Sequence, residues 1–420
     1  MWGFLALNQN GTDATAIHGI TKEGKRITLL EPMVKNRQMN LPGIANELYY
    51  AHFLCIGHHF LSDDEEIFRK SLFRFERLEE WLVSRPFDQS WDFDSLKLNI
   101  EVDKGPVKEM TSFPAYKIGK SANMNTKSSS TNYTIDVMSF LFCESDQPRS
   151  MSWHFVAATR MQELASLCTG HYLPLTHLKL IVSQTQDDNK NRPVEIEIFA
   201  QMQHPQSGSR PKHEIPLFAL SELLRADDRA VENWFDQYNI LSPAINLFFA
   251  ITGERMMFVN VRFLLAIQAI EVFHRRTANG SLMEKAEYKN LRKQLVAAIP
   301  ADLPKDITEK LTGLYAFANE QSLMQRLTSI ISEVNIDFEE EVKGFSAPYA
   351  RSVVDTRNYN THFTASLEPK ALDGAGMHWA TRRMILLLTY LFLKKIGVPA
   401  GSFREALERH REFRSLICEC

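Results

Sequence analysis

The chain has 420 residues, 44% of them apolar and 24% charged, with a formal net charge of −3. At about 150 residues per domain this is a chain of roughly two to three domains, and its globular composition excludes a mostly disordered, a collagen-like or a multi-pass membrane protein. The charge divides as −2 over residues 1–212 and −1 over 213–420, so neither half is a basic nucleic-acid magnet, and an RNA partner has to be held by a local patch.

The first 200 residues read as strands. Residues 14–20 and Arg26–Leu30 flank the turn signal Thr21-Lys22-Glu23-Gly24-Lys25 and predict a hairpin. Residues 71–82, 96–102 and 133–142 alternate or are rich in β-formers. Residues 194–200 place Val194, Ile196 and Ile198 on one face. Residues 119–131, rich in Ser, Lys and Asn, predict a long exposed loop suited to partner recognition. Residues 155–167 are the one helical stretch here. Together they predict an α+β chain that opens with a β-rich antiparallel domain, a sandwich or an open barrel, over 1–203. Trp81, Trp91 and Tyr49-Tyr50 are expected in its core. His58-His59 lacks a third ligand, so no metal is expected there.

Residues 204–213 (HPQSGSRPKH) are the clearest linker, and the period then changes to helical. Helices are predicted over 221–224, 242–251 and 255–276. The last of these carries Met257, Val261, Leu264, Leu265, Ile267, Ile270 and Phe273 as a core stripe and ends at Asn279-Gly280. Further helices are predicted over 281–297, 306–317, 321–331, 338–343, 378–395 and 402–418. The apolar run 384–393 is far shorter than the about 20 residues a spanning helix needs, so it predicts a buried helix. The domain 214–420 is therefore an all-α bundle. Cys55, Cys143, Cys168, Cys418 and Cys420 form no CxxC pair, and an odd, sparse count fits a reducing cytosol. The apolar start 1–7 lacks the basic flank of a signal peptide. A cytoplasmic protein without membrane contact is expected.

One segment concentrates chemistry: Arg357-Asn358-Tyr359-Asn360-Thr361-His362. On a helix Asn358 and His362 share a face, and the long Arg357 stem can bring its guanidinium alongside. Arginine holds phosphate oxygens bidentately, and an imidazole exchanges protons near neutral pH. With a ribose 2′-OH as nucleophile, that set suits metal-free cleavage of RNA. The simplest structural alternative is a polar helix end with Asp355 as salt-bridge partner. An R-x4–6-H pattern occurs three times, at Arg149…His154, Arg357…His362 and Arg404…His410. Only Arg357 is followed by Asn and lies between core helices.

This R-N-x-N-x-H segment resembles the motif of HEPN-domain ribonucleases. The long helix with Ala269-Ile270-Glu271 and His274-Arg275, followed by Arg357-Asn358 and His362, resembles the Apea-like HEPN domain. The start of the chain, Trp2-Gly3-Phe4 and the hairpin to Ile27-Thr28-Leu29-Leu30, resembles the ApeA N-terminal domain of bacterial antiphage, abortive-infection proteins. The resemblance implies a cofactor-free, metal-independent endoribonuclease that leaves a 2′,3′-cyclic phosphate and a 5′-OH. It implies Arg357 and His362 as the catalytic pair, with Asn358 on the phosphate, in a composite site at a homodimer or higher homo-oligomer. Glu271, His274 and Arg351 are expected as supporting residues and Arg382 and Arg383 as RNA contacts. Transfer RNA is one candidate substrate and a phage-encoded protein a candidate activator. The competing expectation is a non-catalytic HEPN-like dimerisation or RNA-binding scaffold, with the β-rich domain as the ligand-binding module.

Overall fold

The computed structural model describes residues 3–4, 16–39, 45–83, 87–95, 97–102, 108–182, 193–200, 215–253, 256–339, 342 and 344–410. They fall into two compact units, Met1–Glu232 and Asn233–Cys420. The expected linker 204–213 lies outside the described residues, as do Cys418 and Cys420, and the first unit runs on to Glu232.

The strands of the first unit are, in chain order, β1 (Gly3–Phe4), β2 (Ala16–Ile20), β3 (Arg26–Leu30), β4 (Met33–Met39), β5 (Ala45–Tyr50), β6 (Phe53–Ile56), β7 (Phe68–Phe75), β8 (Phe87–Asp92), β9 (Lys97–Val102), β10 (Lys108–Phe113), β11 (Tyr116–Ser128), β12 (Tyr133–Arg149), β13 (Leu175–Val182) and β14 (Glu195–Ala200). Ten form one antiparallel sheet in the order β1-β2-β3-β6-β14-β13-β7-β12-β11-β10, and β4–β5 and β8–β9 are separate ribbons. The sheet is open rather than closed. Helix α1 (Leu78–Leu82) follows β7, α2 (Met151–Thr169) follows β12, and α3 (Leu220–Ala226) comes after β14.

The expected first hairpin is present, with Ala16 opposite Leu30 and Ile20 opposite Arg26. Its turn closes through the Thr21 N–H donating to the Lys25 carbonyl at 2.8 Å, with Gly24 at φ 80°. In β14, Ile196 and Ile198 turn inward while Glu195 and Glu197 stay out, where Lys179 meets them at 3.7 and 3.5 Å. Helix α2 starts where the Ser150 hydroxyl accepts the Trp153 N–H and stops at Gly170, φ 73°. It packs on β7, β12 and β13. Phe68, Phe73, Phe75, Leu141, Met161 and Leu164 are fully buried between them.

Three expectations change. Residues 119–131 are not a loop: β11 continues to Ser128, in register with β12 from Tyr116↔Ser145 to Ser128↔Tyr133. Residues 71–82 are not one strand: Arg77 takes φ 60°, which ends β7 and starts α1, burying Leu78 and Trp81. Trp91, expected in the core, is 53% exposed.

The helices that follow are α4 (Ala230–Gly253), α5 (Val259–Thr277), α6 (Lys285–Ala297), α7 (Lys305–Phe317), α8 (Leu323–Asp337), α9 (Ala347–His362), a 3-10 turn at Ala365–Lys370, α10 (Gly374–Lys395) and α11 (Ala400–Arg409). The second unit is thus the expected helical bundle. Helix α10 carries the apolar run and is buried from Leu386 to Leu393. Its Phe392 meets Phe248 of α4 and Phe273 of α5 with ring centroids 5.6 and 5.7 Å apart. Ile267, Ile270 and Phe273 of the expected α5 stripe are buried, whereas Val261 is 41% exposed. Of the helix expected over 338–343, Phe338 is instead the C-cap of α8, and residues 340, 341 and 343 lie outside the described residues. No described helix is long and apolar enough to cross a membrane.

Candidate active site

Helix α9 exists because its buried side is apolar and its ends are capped. Tyr349, Ala350, Val353, Val354 and Thr356 face inward. The Ser346 hydroxyl accepts the Tyr349 N–H at 3.4 Å, and Phe363 ends the helix in the left-handed region at φ 51°. His362 is therefore the last helical residue.

At about 100° per residue, Arg351, Asp355, Asn358 and His362 recur on the side opposite the buried one. Arg357 stands about 100° round the helix from Asn358, in the sector of Val353 and Val354, and is half-buried. Its Nη1 donates to Asn358 Oδ1 at 3.1 Å, so the cation and the amide form one unit. The amide nitrogen of Asn358 and both ring nitrogens of His362 have no partner among the described residues. Asp355 makes no ion pair with Arg357 there either, so the salt bridge of the structural alternative is not formed. His362 and Arg351 are exposed.

The rest of the segment holds this end of α9 in place. Thr356 Oγ1 accepts the Leu372 N–H at 2.9 Å and donates to the Ser352 carbonyl at 2.6 Å. Asn360 Nδ2 donates to the Thr356 carbonyl at 2.9 Å and lies 3.8 Å from Met377 Sδ. These contacts dock the chain leaving α9, and the first turn of α10, against its last two turns. Thr356 and Asn360 are thus positioning residues that sequence reasoning missed. Their only signal is polar side chains at spacing four, one just before the motif and one inside it.

The expected supporting residues are used in different ways. Arg351 joins the exposed face of α9. Glu271 and His274 belong to a cluster between α5 and α8. There Arg275 Nε donates to Glu271 at 3.1 Å, and Arg326 Nη1 donates to His274 Nδ1 at 3.2 Å. A guanidinium has no acceptor, so His274 is neutral in that bond, and burial, followed by the Arg326 charge, holds its pKa down. Arg326 is 2% exposed and also donates to the Gln321 carbonyl at 3.0 Å. Arg382 lies over the Trp379 ring at 5.6 Å and Arg383 over the Tyr349 ring at 5.9 Å. Tyr349 precedes His362 by 13 residues, or about 20 Å of helix, so Arg383 reaches the other end of α9.

The two other R-x-H pairs are occupied. His154 is fully buried, with Nδ1 3.1 Å from Ser71 Oγ and Nε2 3.2 Å from the Phe68 carbonyl. Arg404 donates to the Phe338 carbonyl at 2.6 Å and covers the Phe338 ring. Of the three, only the pair on α9 combines a cation bonded to an amide with an unengaged imidazole among the described residues. Among those residues, no group of three His, Cys, Asp or Glu side chains is placed to hold a metal ion.

Two family models match the chain. The family model for ApeA N-terminal domain 1 matches residues 7–234. The model for Apea-like HEPN matches residues 264–402, a span that contains Arg357, Asn358 and His362. No curated protein and no solved structure matches the chain.

Proposed function

The chain belongs to the ApeA family and carries an Apea-like HEPN domain, and from that premise we propose that it is an antiphage defence effector whose helical unit is a metal-independent endoribonuclease. The observation that carries the reading is the open set on α9: Arg357 bonded to Asn358, with His362 one helical turn further along and unengaged.

The chemistry follows from these groups. A ribose 2′-oxygen attacks the neighbouring phosphorus and gives up its proton. The P–O5′ bond breaks, and the departing 5′-oxygen takes a proton. The products are a 2′,3′-cyclic phosphate and a 5′-OH. Arg357 holds the non-bridging oxygens and offsets the charge that grows on them. Asn358 fixes the guanidinium and offers its amide N–H to the same phosphate. His362 exchanges a proton with one of the reacting oxygens. Because the substrate brings its own nucleophile, no metal-activated water is needed.

One copy supplies a single such set, and a second copy completes a composite site. Residues 341–420 carry a net +4 against −5 for residues 213–340. Pairing two C-terminal segments therefore doubles the positive field over an anionic backbone. The β-rich unit responds to a phage-encoded trigger, and cleavage of host or phage RNA, transfer RNA among the candidates, ends the infection abortively.

The test is RNA integrity and growth in phage-challenged cells carrying wild type or Arg357→Ala/His362→Ala. Arrest with 2′,3′-cyclic phosphate ends in wild type alone supports the reading. Equal protection by both proteins with intact RNA overturns it and makes the bundle a scaffold.

A further inference from the structure

Helices α6 and α7 form a hairpin in which neither helix buries a residue. Its root is tied by backbone bonds: the Leu282 N–H donates to the Asn319 carbonyl and the Gln321 N–H to the Gly280 carbonyl, each at 2.8 Å. Inside the hairpin Tyr288 of α6 donates its hydroxyl to the Tyr315 carbonyl of α7. That bond fixes which side of α6 faces α7.

The charges on α6 are segregated. Lys285, Lys289, Arg292 and Lys293 follow at spacings of four, three and one, which puts them in one sector of the helix. Lys285–Lys289, Lys289–Arg292 and Lys289–Lys293 are like-charge neighbours at i,i+3 or i,i+4, an arrangement that repels. Glu284 and Glu287 fall on the other side, at no such spacing from any of the four. None of the four cations has an ionic partner among the described residues. Helix α7, in the same hairpin, shows the opposite habit: Lys305 meets Glu309 at 3.7 Å, and Asp306 stands four residues before Lys310. Four cations against Glu287 make α6 +3 within residues 213–340, which sum to −5. A helix that gathers uncompensated cations on one side, three exposed and Arg292 half-buried, in an otherwise acidic stretch, is suited to a polyanion.

We propose that this side of α6 is a docking track for the phosphate backbone of single-stranded RNA, separate from the Arg357 set and serving to hold the strand that is cut. Lys285 to Lys293 covers about 12 Å of helix, room for successive phosphates. The track needs only charge and carries no base readout. This inference rests on the ribonuclease reading, and its test is built to fail separately.

The experiment uses the full chain with Arg357→Ala/His362→Ala, so that RNA survives, and a fluorescein-labelled oligouridylate of about 20 nucleotides. Anisotropy gives the affinity at several salt concentrations. Adding Lys285→Gln, Lys289→Gln, Arg292→Gln and Lys293→Gln is expected to lower the slope of log affinity against log salt by roughly two to three, at about 0.7 for each phosphate no longer neutralised. The pair Lys305→Gln and Lys310→Gln on α7 is expected to leave the slope unchanged. An unchanged slope in the folded quadruple variant, an equal drop in the α7 control, or no RNA binding by the parent overturns the proposal. So does binding to anionic vesicles that the four substitutions abolish while the RNA slope stands. Cleavage by wild type is scored separately, so a failed ribonuclease reading and a failed track are distinguishable.

Discussion

His154 in the sheet-rich unit and His362 in the helical unit each follow an arginine by five positions, and their surroundings assign them opposite work. His154 is fully buried on the inner side of α2, with both ring nitrogens bonded to Ser71 and Phe68 of β7. Burial pushes its pKa down to about 4, so it stays neutral and joins α2 to β7. His362 ends α9 in solvent, beside an arginine already steadied by an amide. The difference teaches that an imidazole with both nitrogens satisfied is a structural pin, whereas one with neither satisfied is available to a substrate. Inside the helical unit His274, expected as a supporting residue, is buried with one ring nitrogen bonded to Arg326.

The largest effect expected from this contrast is on catalysis. His362→Ala or Arg357→Ala should reduce RNA cleavage about 10²- to 10⁴-fold with an unchanged thermal melt, because neither side chain bonds into the core. A matching loss of melting temperature would make the α9 set structural like His154. Next comes the pH dependence of the first unit. The folded pKa of His154 lies below its usual value, so the unfolded chain takes the proton first. The stability is fully present above about pH 6.5 and is lost as the pH falls towards 4. Urea titrations across that window should show a loss of order 3 kcal/mol, and His154→Gln should flatten it.

Two smaller effects refine the picture of α9. Asn358→Ala removes the acceptor at 3.1 Å that steadies Arg357, and turnover should fall about tenfold, the scale of one hydrogen bond to a charged group. An unchanged rate would show that Arg357 needs no orienting. Asp355→Asn should raise RNA affinity about twofold at low salt, since it removes an anion from the same exposed face at the strength of a surface charge. A fall in activity instead would mean that Asp355 pairs with Arg357 in solution.

Much of this organisation is legible from residue order. The Thr21–Lys25 turn, the inward Ile196 and Ile198, the apolar run of α10 and the Arg357-Asn358…His362 spacing all follow from local rules. What escapes them has a physical cause. Strand β11 beyond Gly119 is read as a loop because both faces of the β11–β12 ribbon are largely solvated there, so no alternation marks it. Its structure comes from cross-strand pairing with β12. The break at Arg77 is invisible because a positive φ at arginine is imposed by the packing of Leu78 and Trp81. Helix α9 carries a polar motif on one side and a narrow stripe of Tyr349, Ala350, Val353 and Val354 on the other, too thin to announce itself as a core helix. The second roles of Glu271 and His274 depend on Arg275 and Arg326, and the Arg326 bond joins side chains 52 residues apart.

The most direct test of the open α9 set is cleavage of a defined RNA by purified wild type, Arg357→Ala and His362→Ala, with EDTA present and with one 2′-deoxy nucleotide placed at the preferred cut site. Wild type should cut the all-ribose RNA to 2′,3′-cyclic phosphate ends and spare the deoxy-substituted bond, and neither folded variant should cut detectably over the same interval. Cleavage at the deoxy position, or wild-type rates from either variant, would contradict the assignment of Arg357 and His362 to 2′-OH-driven RNA cleavage.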